Sequence, residues 1–466
     1  MHSLKPIHII LLIAIWIPFE NFLVKWVPGG DFIRFIPEIT LYFMLGFEFA
    51  RKIVYKKQYI STPVNSLLLI FIFLAIASLM YNLIPLPDSL KPTISGIRNV
   101  RTLIRYFAVF YIIVYNDDIK QKHLKFFINS MLVVLIINIA TGFFQRIFGI
   151  NSFWLPENGD LEIAGMSTSF KSVGEGGGGR EVGSVIGMTG DTVYLGLFLV
   201  IIAPIIYLKM ALEKRKLIFF YILLACTMML QVFTYSNGSL IAMVGGIGVC
   251  MLVAKEWGRI MYLGMAIVLL IPAFFILKDM QVNKADERTQ ETNPIDNIAL
   301  LFSDQYINSL DNSRLWVLRD VGKQVATLDN PFGYSASSDY ARYMIAQNSG
   351  THEFDKLIEY DAMEDVYWVA MLAYYGYIGV IIFLSILLVF LYMSFTVYWK
   401  TNNMEIKILA GSYIAILASG FVVCFIVRAF EFRIFSYYFF LIPAFITKEY
   451  LAIKNKTHFY TPTIEQ

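Results

Sequence analysis

Runs of about 20 apolar residues, the length a helix needs to cross a bilayer, recur along this chain from Ile7 to Thr447. Such segments must face lipid or one another, and that constrains the fold before any other feature is read. Composition agrees: 57% of residues are hydrophobic and 16% charged, where soluble domains carry about 25% charge. The formal net charge is only +3, and no basic block is interleaved with aromatics. Nucleic acid is therefore not an expected partner. Cys226, Cys250 and Cys424 each lie inside an apolar run, so they read as small hydrophobes and not as a disulfide or metal framework.

The runs place helices near 7–25, 34–50, 64–84, 100–115, 125–148, 188–208, 217–235, 239–254, 259–277, 365–396, 405–427 and 431–447. This predicts an all-α polytopic membrane protein of about twelve spans. The first run follows Lys5 and has Pro18-Phe19-Glu20-Asn21 where a signal peptide would have small residues, so it reads as a retained helix. Lysines and arginines cluster around 51–57, 120–125, 209–216, 255–259, 400–407 and 448–456, at every second connection. By the positive-inside rule that side is expected to be the cytoplasm, with both termini there.

Four parts follow from this layout. Residues 1–277 form an N-terminal bundle of about nine helices with an external loop at 149–187. Residues 278–364 form a large extracytoplasmic loop, 365–447 the C-terminal membrane helices, and 448–466 a cytoplasmic tail. The large loop is expected to be partly helical: Leu318, Val321, Val325 and Leu328 lie at helical spacing, and Asn330-Pro331-Phe332-Gly333 ends the pattern. No internal repeat is visible, which weighs against transporter folds built from inverted halves.

Arginine recurs on the external side. Arg98, Arg101 and Arg105 share one helix face by their spacing. With a helix start near residue 100, they stand at a positive dipole end, unfavourable unless an anion joins them. They are expected to bind phosphate or pyrophosphate; lipid headgroup contact or pairing with acids such as Asp88 is the competing reading. Arg180 follows a glycine run that lacks the Gly-Lys-Ser/Thr of a nucleotide loop. It could clamp a diphosphate bidentately, as could Arg314 in the first turn of the loop helix. Glu364 and Asp365 stand where the loop re-enters the bilayer. Carboxylates there suit a general base for a sugar hydroxyl or a helix cap; His352 is a rival base. Glu20, Glu38 and Glu48 either mark an ion path or reach water at span ends.

Four places in the chain resemble the bacterial O-antigen polymerase and ligase superfamily, which includes Wzy-type capsule and exopolysaccharide polymerases. Arg180-Glu181-Val182-Gly183 resembles its Arg-x-x-Gly approach to a central helix. Tyr235-Ser236-Asn237-Gly238-Ser239 resembles a short external Ser-Arg turn, with Asn237 in place of the arginine. Ser313-Arg314-Leu315-Trp316 with Asn330-Pro331-Phe332-Gly333-Tyr334 resembles the Arg-x-x-x-Trp region and Pro-x-Gly turn, at a shorter arginine-to-tryptophan spacing. Asp365-Val366-Tyr367 with Gly376-x-x-Gly379 resembles the helix that closes the large loop. Ligases usually have His-Asn at that helix start, whereas Glu364-Asp365 follows the acidic form of many polymerases.

The resemblance implies a GT-C-like glycosyltransferase with no cofactor, neither nucleotide nor obligatory metal. Its substrates would be undecaprenyl-pyrophosphate-linked oligosaccharides in membrane lipid, with flippase and chain-length regulator proteins as partners. Asp365 or Glu364 would be the base, and Arg180 and Arg314, assisted by Arg98, Arg101 and Arg105, would hold the pyrophosphate. A ligase is the alternative within this chemistry, and a lipid-linked oligosaccharide flippase the alternative outside it. The layout is testable by single cysteines placed in 278–364, expected to react with a membrane-impermeant maleimide on intact cells. Reaction only after lysis would reverse the assigned sides.

Overall fold

The computed structural model describes residues 5–26, 30–55, 61–83, 92–116, 119–148, 185–214, 216–234, 236–256, 316–327, 331–350, 363 and 366–455. The described residues are helical, with no strand among them. Among the described residues, five helices are long and apolar enough to cross a membrane: Pro6–Val24, Gln121–Ile147, Thr192–Glu213, Tyr367–Lys400 and Met404–Val423. Shorter apolar helices cover Asn65–Met80, Leu217–Phe233 and Gly238–Val253. The expected run at 259–277 lies outside the described residues.

We number the elements α1 Pro6–Trp16, α2 Glu20–Trp26, α3 Phe35–Val54, α4 Asn65–Ala77, α5 Pro92–Ile104, α6 Phe107–Tyr115, α7 Gln121–Phe148, α8 Thr192–Glu213, α9 Leu217–Phe233, α10 Asn237–Val253, α11 Gly322–Thr327, α12 Ser338–Ser349, α13 Tyr367–Lys400, α14 Met404–Val423 and α15 Arg433–Lys454. At the centre run α6, α8, α14 and α15. Every residue of α6 is buried, as is α8 from Leu195 to Leu208. A helix that is apolar all round belongs inside a bundle or in lipid, and these four are enclosed by the others. Around them α3, α4, α9 and α13 turn large apolar side chains outward, Phe43, Phe73, Ile218 and Leu388 among them, as a lipid-facing surface requires.

Between helices in lipid, close packing and interhelical hydrogen bonds carry association. Gly246 of α10 lies so near α14 that a Cβ there would sit 2.3 Å from Ser419 Oγ. Ser419 in turn donates to the Ala242 carbonyl at 2.8 Å. Helix starts are set locally. Asp191 Oδ1 accepts from Val193 N and Tyr194 N at 2.7 and 3.1 Å to begin α8, and Ser337 and Asn403 cap α12 and α14 in the same way.

The bundle has two polar ends. At one, His8 meets His123, Lys52 lies over the Tyr115 ring, Gln121 donates to Glu405, and Thr401 donates to Glu449. At the other, Glu20, Arg34, Glu38, Arg101 and Arg433 converge, and Asn99 donates to the Ala336 carbonyl at 2.9 Å. The connections that carry the clustered lysines thus supply the first end, and the alternate connections supply the second.

The loop segment before α13 is partly helical, as the spacing predicts. One wide π turn over Val317–Val321 runs into α11, burying Val317, Val321 and Val325, with Leu318 half-buried. The Pro331-Phe332-Gly333 turn then crosses α13 at Gly376. Tyr334 N donates to the Ala373 carbonyl at 2.8 Å and Ile378 N to the Pro331 carbonyl at 3.1 Å. Gly376 has φ 63° and ψ −169°, a backbone region reserved for glycine, and a Cβ there would lie 2.3 Å from Gly333 N and Pro331 O. Two backbones meet with no room for a side chain, which gives both glycines of the sequence motif one physical cause. Gly376→Ala is therefore expected to cost at least about 1–3 kcal/mol from conformation alone. It should lower the thermal midpoint of detergent-solubilised protein and speed proteolysis around 331–350. Gly46→Ala, where nothing lies within 4 Å of the added Cβ, is the control expected to leave both unchanged.

Candidate functional site

Glu38 follows Pro37 in the first turn of α3 and is 4% exposed. A carboxylate buried this deeply costs several kcal/mol unless charges and hydrogen bonds offset it, and three arginines do so. Arg101 grips it with two bonds, Nε–Oε2 at 2.9 Å and Nη2–Oε1 at 3.2 Å. Arg105 Nε lies 3.1 Å from Oε1 and Arg433 Nη2 3.3 Å from the same oxygen. Arg433, the first residue of α15, also pairs closely with Glu20 and donates to the Arg34 carbonyl at 2.6 Å. Glu20 is 2% exposed, so both acids form the floor of the cluster and the guanidinium groups lie above it.

Over this floor opens a cleft of about 310 Å³, within the size range of small-molecule sites, roughly 300–1,000 Å³. Arg34, Arg98, Arg101, Arg105, Arg428 and Arg433 line it. Against these six guanidinium groups stand three carboxylates, Glu20 and Glu38 beneath and Glu431 in the wall, where Arg428 Nη1 meets Glu431 Oε2 at 3.0 Å. An excess of three positive charges remains among the described residues. Arg98 is exposed on the cleft wall with no hydrogen-bond or ion-pair partner among the described residues. Ser338, at the start of α12, also lines the cleft and turns a helix N-terminus toward it, which favours negative charge as well. Planar guanidinium forks match phosphate oxygens bidentately, so the arrangement suits a multiply charged oxyanion.

The structure brings Arg98, Arg101 and Arg105 into one cleft, but not for the dipole reason expected of them. The helix that carries them starts at Pro92, not near residue 100, and it breaks at Arg105–Tyr106 before α6 begins. Arg98 and Arg101 therefore stand in the second half of α5, where the dipole favours cations. What concentrates positive charge is convergence with Arg34, Arg428 and Arg433. Glu20 and Glu38, expected at span ends or along an ion path, are instead the arginines' counter-charges. Glu48 lies at the opposite end, 3.0 Å from Arg51. Arg180, Arg314, His352, Glu364 and Asp365 lie outside the described residues.

Sequence reasoning passed over Arg34, Arg428, Glu431 and Arg433. The three arginines carried a signal, since they stand at short connections that alternate with the lysine-rich ones; Glu431 carried none. No family model and no curated protein sequence matches the chain.

Removing the shared acid tests this geometry. Glu38→Ala leaves three guanidinium groups without their common partner and is expected to cost about 3–5 kcal/mol, as breaking a buried ion pair does. Arg98→Ala should change stability by less than about 0.5 kcal/mol. Thermal unfolding in detergent compares the two, and equal midpoints would contradict the assignment.

Proposed function

We propose that this chain is a polysaccharide polymerase, a GT-C-like glycosyltransferase of the bacterial cytoplasmic membrane. It transfers a growing glycan from undecaprenyl pyrophosphate onto a lipid-linked repeat unit. The observation that carries the reading is the cleft lined by six arginines and Glu431, above the buried Glu20 and Glu38, at the end of the bundle opposite the clustered lysines. If the lysine-rich end is cytoplasmic, by the positive-inside rule, the cleft faces outward, with about twelve spans and both termini inside. Lipid-linked repeat units await polymerisation on that outer face.

The chemistry follows from charge. In the transfer, the acceptor hydroxyl oxygen attacks the anomeric carbon while the bond from that carbon to the diphosphate oxygen breaks. The linkage inverts, the hydroxyl proton passes to a carboxylate, and undecaprenyl pyrophosphate departs with the bonding pair. Negative charge therefore grows on the diphosphate in the transition state. Preorganised donors aimed at growing charge are the largest single source of catalysis in many sites. Arg98, Arg101, Arg105, Arg428 and Arg433 are placed to provide them, with Arg180 and Arg314 as further candidates. Arginines in this number supply the charge that a divalent cation supplies elsewhere, so the reaction is proposed to be metal-independent. Flippase and chain-length regulator proteins would be its partners.

Purified protein in lipid nanodiscs, given synthetic undecaprenyl-pyrophosphate-linked repeat, is expected to make a ladder of products. Arg98→Ala should remain folded yet lower kcat by about 10²-fold to 10³-fold, the scale for loss of one such donor. A wild-type protein that binds the substrate and makes no ladder overturns the polymerase reading. Movement of the intact substrate across the bilayer would point to a flippase, and transfer only to a different acceptor would point to a ligase.

A further inference from the structure

We infer that Glu431 accepts the proton of the acceptor hydroxyl during transfer; this rests on the glycosyl-transfer reading above. Three carboxylates belong to the arginine cluster, and they are not equivalent. Glu20 and Glu38 are 2% and 4% exposed and are held by Arg433, Arg101 and Arg105 beneath the cleft. A sugar hydroxyl cannot reach them without breaking the cluster. Glu431 alone among the described acids lines the cleft, with its side chain 15% exposed.

Its position is fixed from below. The turn Ala429–Glu431 joins α14 to α15 and is closed by Glu431 N donating to the Arg428 carbonyl at 2.9 Å and Phe432 N to the Ala429 carbonyl at 3.1 Å. Phe430, in the middle of the turn, is buried against Phe439 and Phe383, with ring centroids 4.7 and 5.1 Å apart. Anchoring the middle residue leaves little freedom to the next, so the carboxylate is presented on a rigid support, as proton transfer in a short-lived transition state requires. Arg428 Nη1 holds Oε2 at 3.0 Å, which fixes the orientation of the carboxylate.

Placement relative to the leaving group also fits. Arg428 and Arg433 flank Glu431 in sequence and line the same cleft as Arg98, Arg101 and Arg105; Glu431 serves in-line attack with the diphosphate on the α5 arginines and the sugar ring between it and the carboxylate. The anomeric carbon is one bond from that diphosphate, and the acceptor oxygen must approach it from the far side. As the O–C bond forms and the C–O(phosphate) bond breaks, the acceptor proton moves to Glu431. The leaving diphosphate keeps the electron pair and stays among the arginines. A weak base suffices, because charge on the sugar develops ahead of proton loss in oxocarbenium-like transition states. Tyr367, two residues beyond Asp365, packs on Phe430 at 5.4 Å. The start of α13 thus lies against the turn that carries Glu431; Asp365 and Glu364, which lie outside the described residues, are the rival bases that the sequence offers.

The test compares Glu431→Gln, Asp365→Asn and Glu364→Gln in nanodiscs with undecaprenyl-pyrophosphate-linked repeat. Readouts are donor affinity, single-turnover rate and the pH dependence of that rate. Glu431→Gln is expected to bind donor within about threefold of wild type while the single-turnover rate falls about 10²-fold to 10⁴-fold, the scale of general-base catalysis. The acidic limb of the pH–rate profile should disappear with it, and Glu431→Asp should restore part of the rate. Loss of donor affinity in step with rate would assign Glu431 to positioning Arg428 and overturn the inference. So would a Glu431→Gln enzyme within fivefold of wild type, or an acidic limb abolished by Asp365→Asn or Glu364→Gln instead. In those cases a wild-type ladder leaves the polymerase reading standing, whereas no ladder from the wild type overturns both.

Discussion

One buried carboxylate holds the arginine-rich end of this bundle together. Glu38 reaches arginines from two other segments, Arg101 and Arg105 at the end of α5 and Arg433 at the head of α15. Close to it, Glu20 fixes Arg433 from a fourth segment. Inside a low-dielectric bundle an unpaired carboxylate or guanidinium is costly, so each of these groups makes the others tolerable. Apolar helix packing alone would allow the segments to slide along one another. A multidentate ion cluster allows one register, and the cleft shape follows from that register.

The same cluster sets a tension between stability and use. Two buried acids neutralise part of the arginine charge, and the remainder is left facing the cleft. Such a surplus is electrostatically unfavourable by itself, and the proposed diphosphate would relieve it. Arg101 has its outer side over the Phe35 ring, 4.6 Å from the centroid, and its inner side on Glu38. It is held on two sides and needs little reorganisation to meet a phosphate. Arg98 has no such tether among the described residues and can adapt to the ligand.

How much of this was legible in the residues differs by feature. The apolar runs foretold the helices well, because length and hydropathy are local properties. The apolar run at 100–115 has the pattern of one helix, yet the chain breaks at Arg105–Tyr106. Turning there lets Arg105 reach Glu38, and no local pattern announces it. The Pro331-Phe332-Gly333 and Gly376 motifs were visible as separate turns. Their mutual contact was not, since 43 positions separate Gly333 from Gly376 and the link is a backbone crossing.

The chain alone determined that it would form apolar helices, that its lysines would gather at alternate connections, and that Arg98 and Arg101 would share a face. Each of those is fixed by spacing along the chain. Tertiary structure decided which acids neutralise which arginines, that Arg428 and Arg433 join the same cleft, and that Glu431 alone among the described carboxylates opens into it. Those are pairings between residues as far apart as Glu20 and Arg433. Coulomb attraction fixes partners by distance in space, and distance in space is settled only when the helices pack.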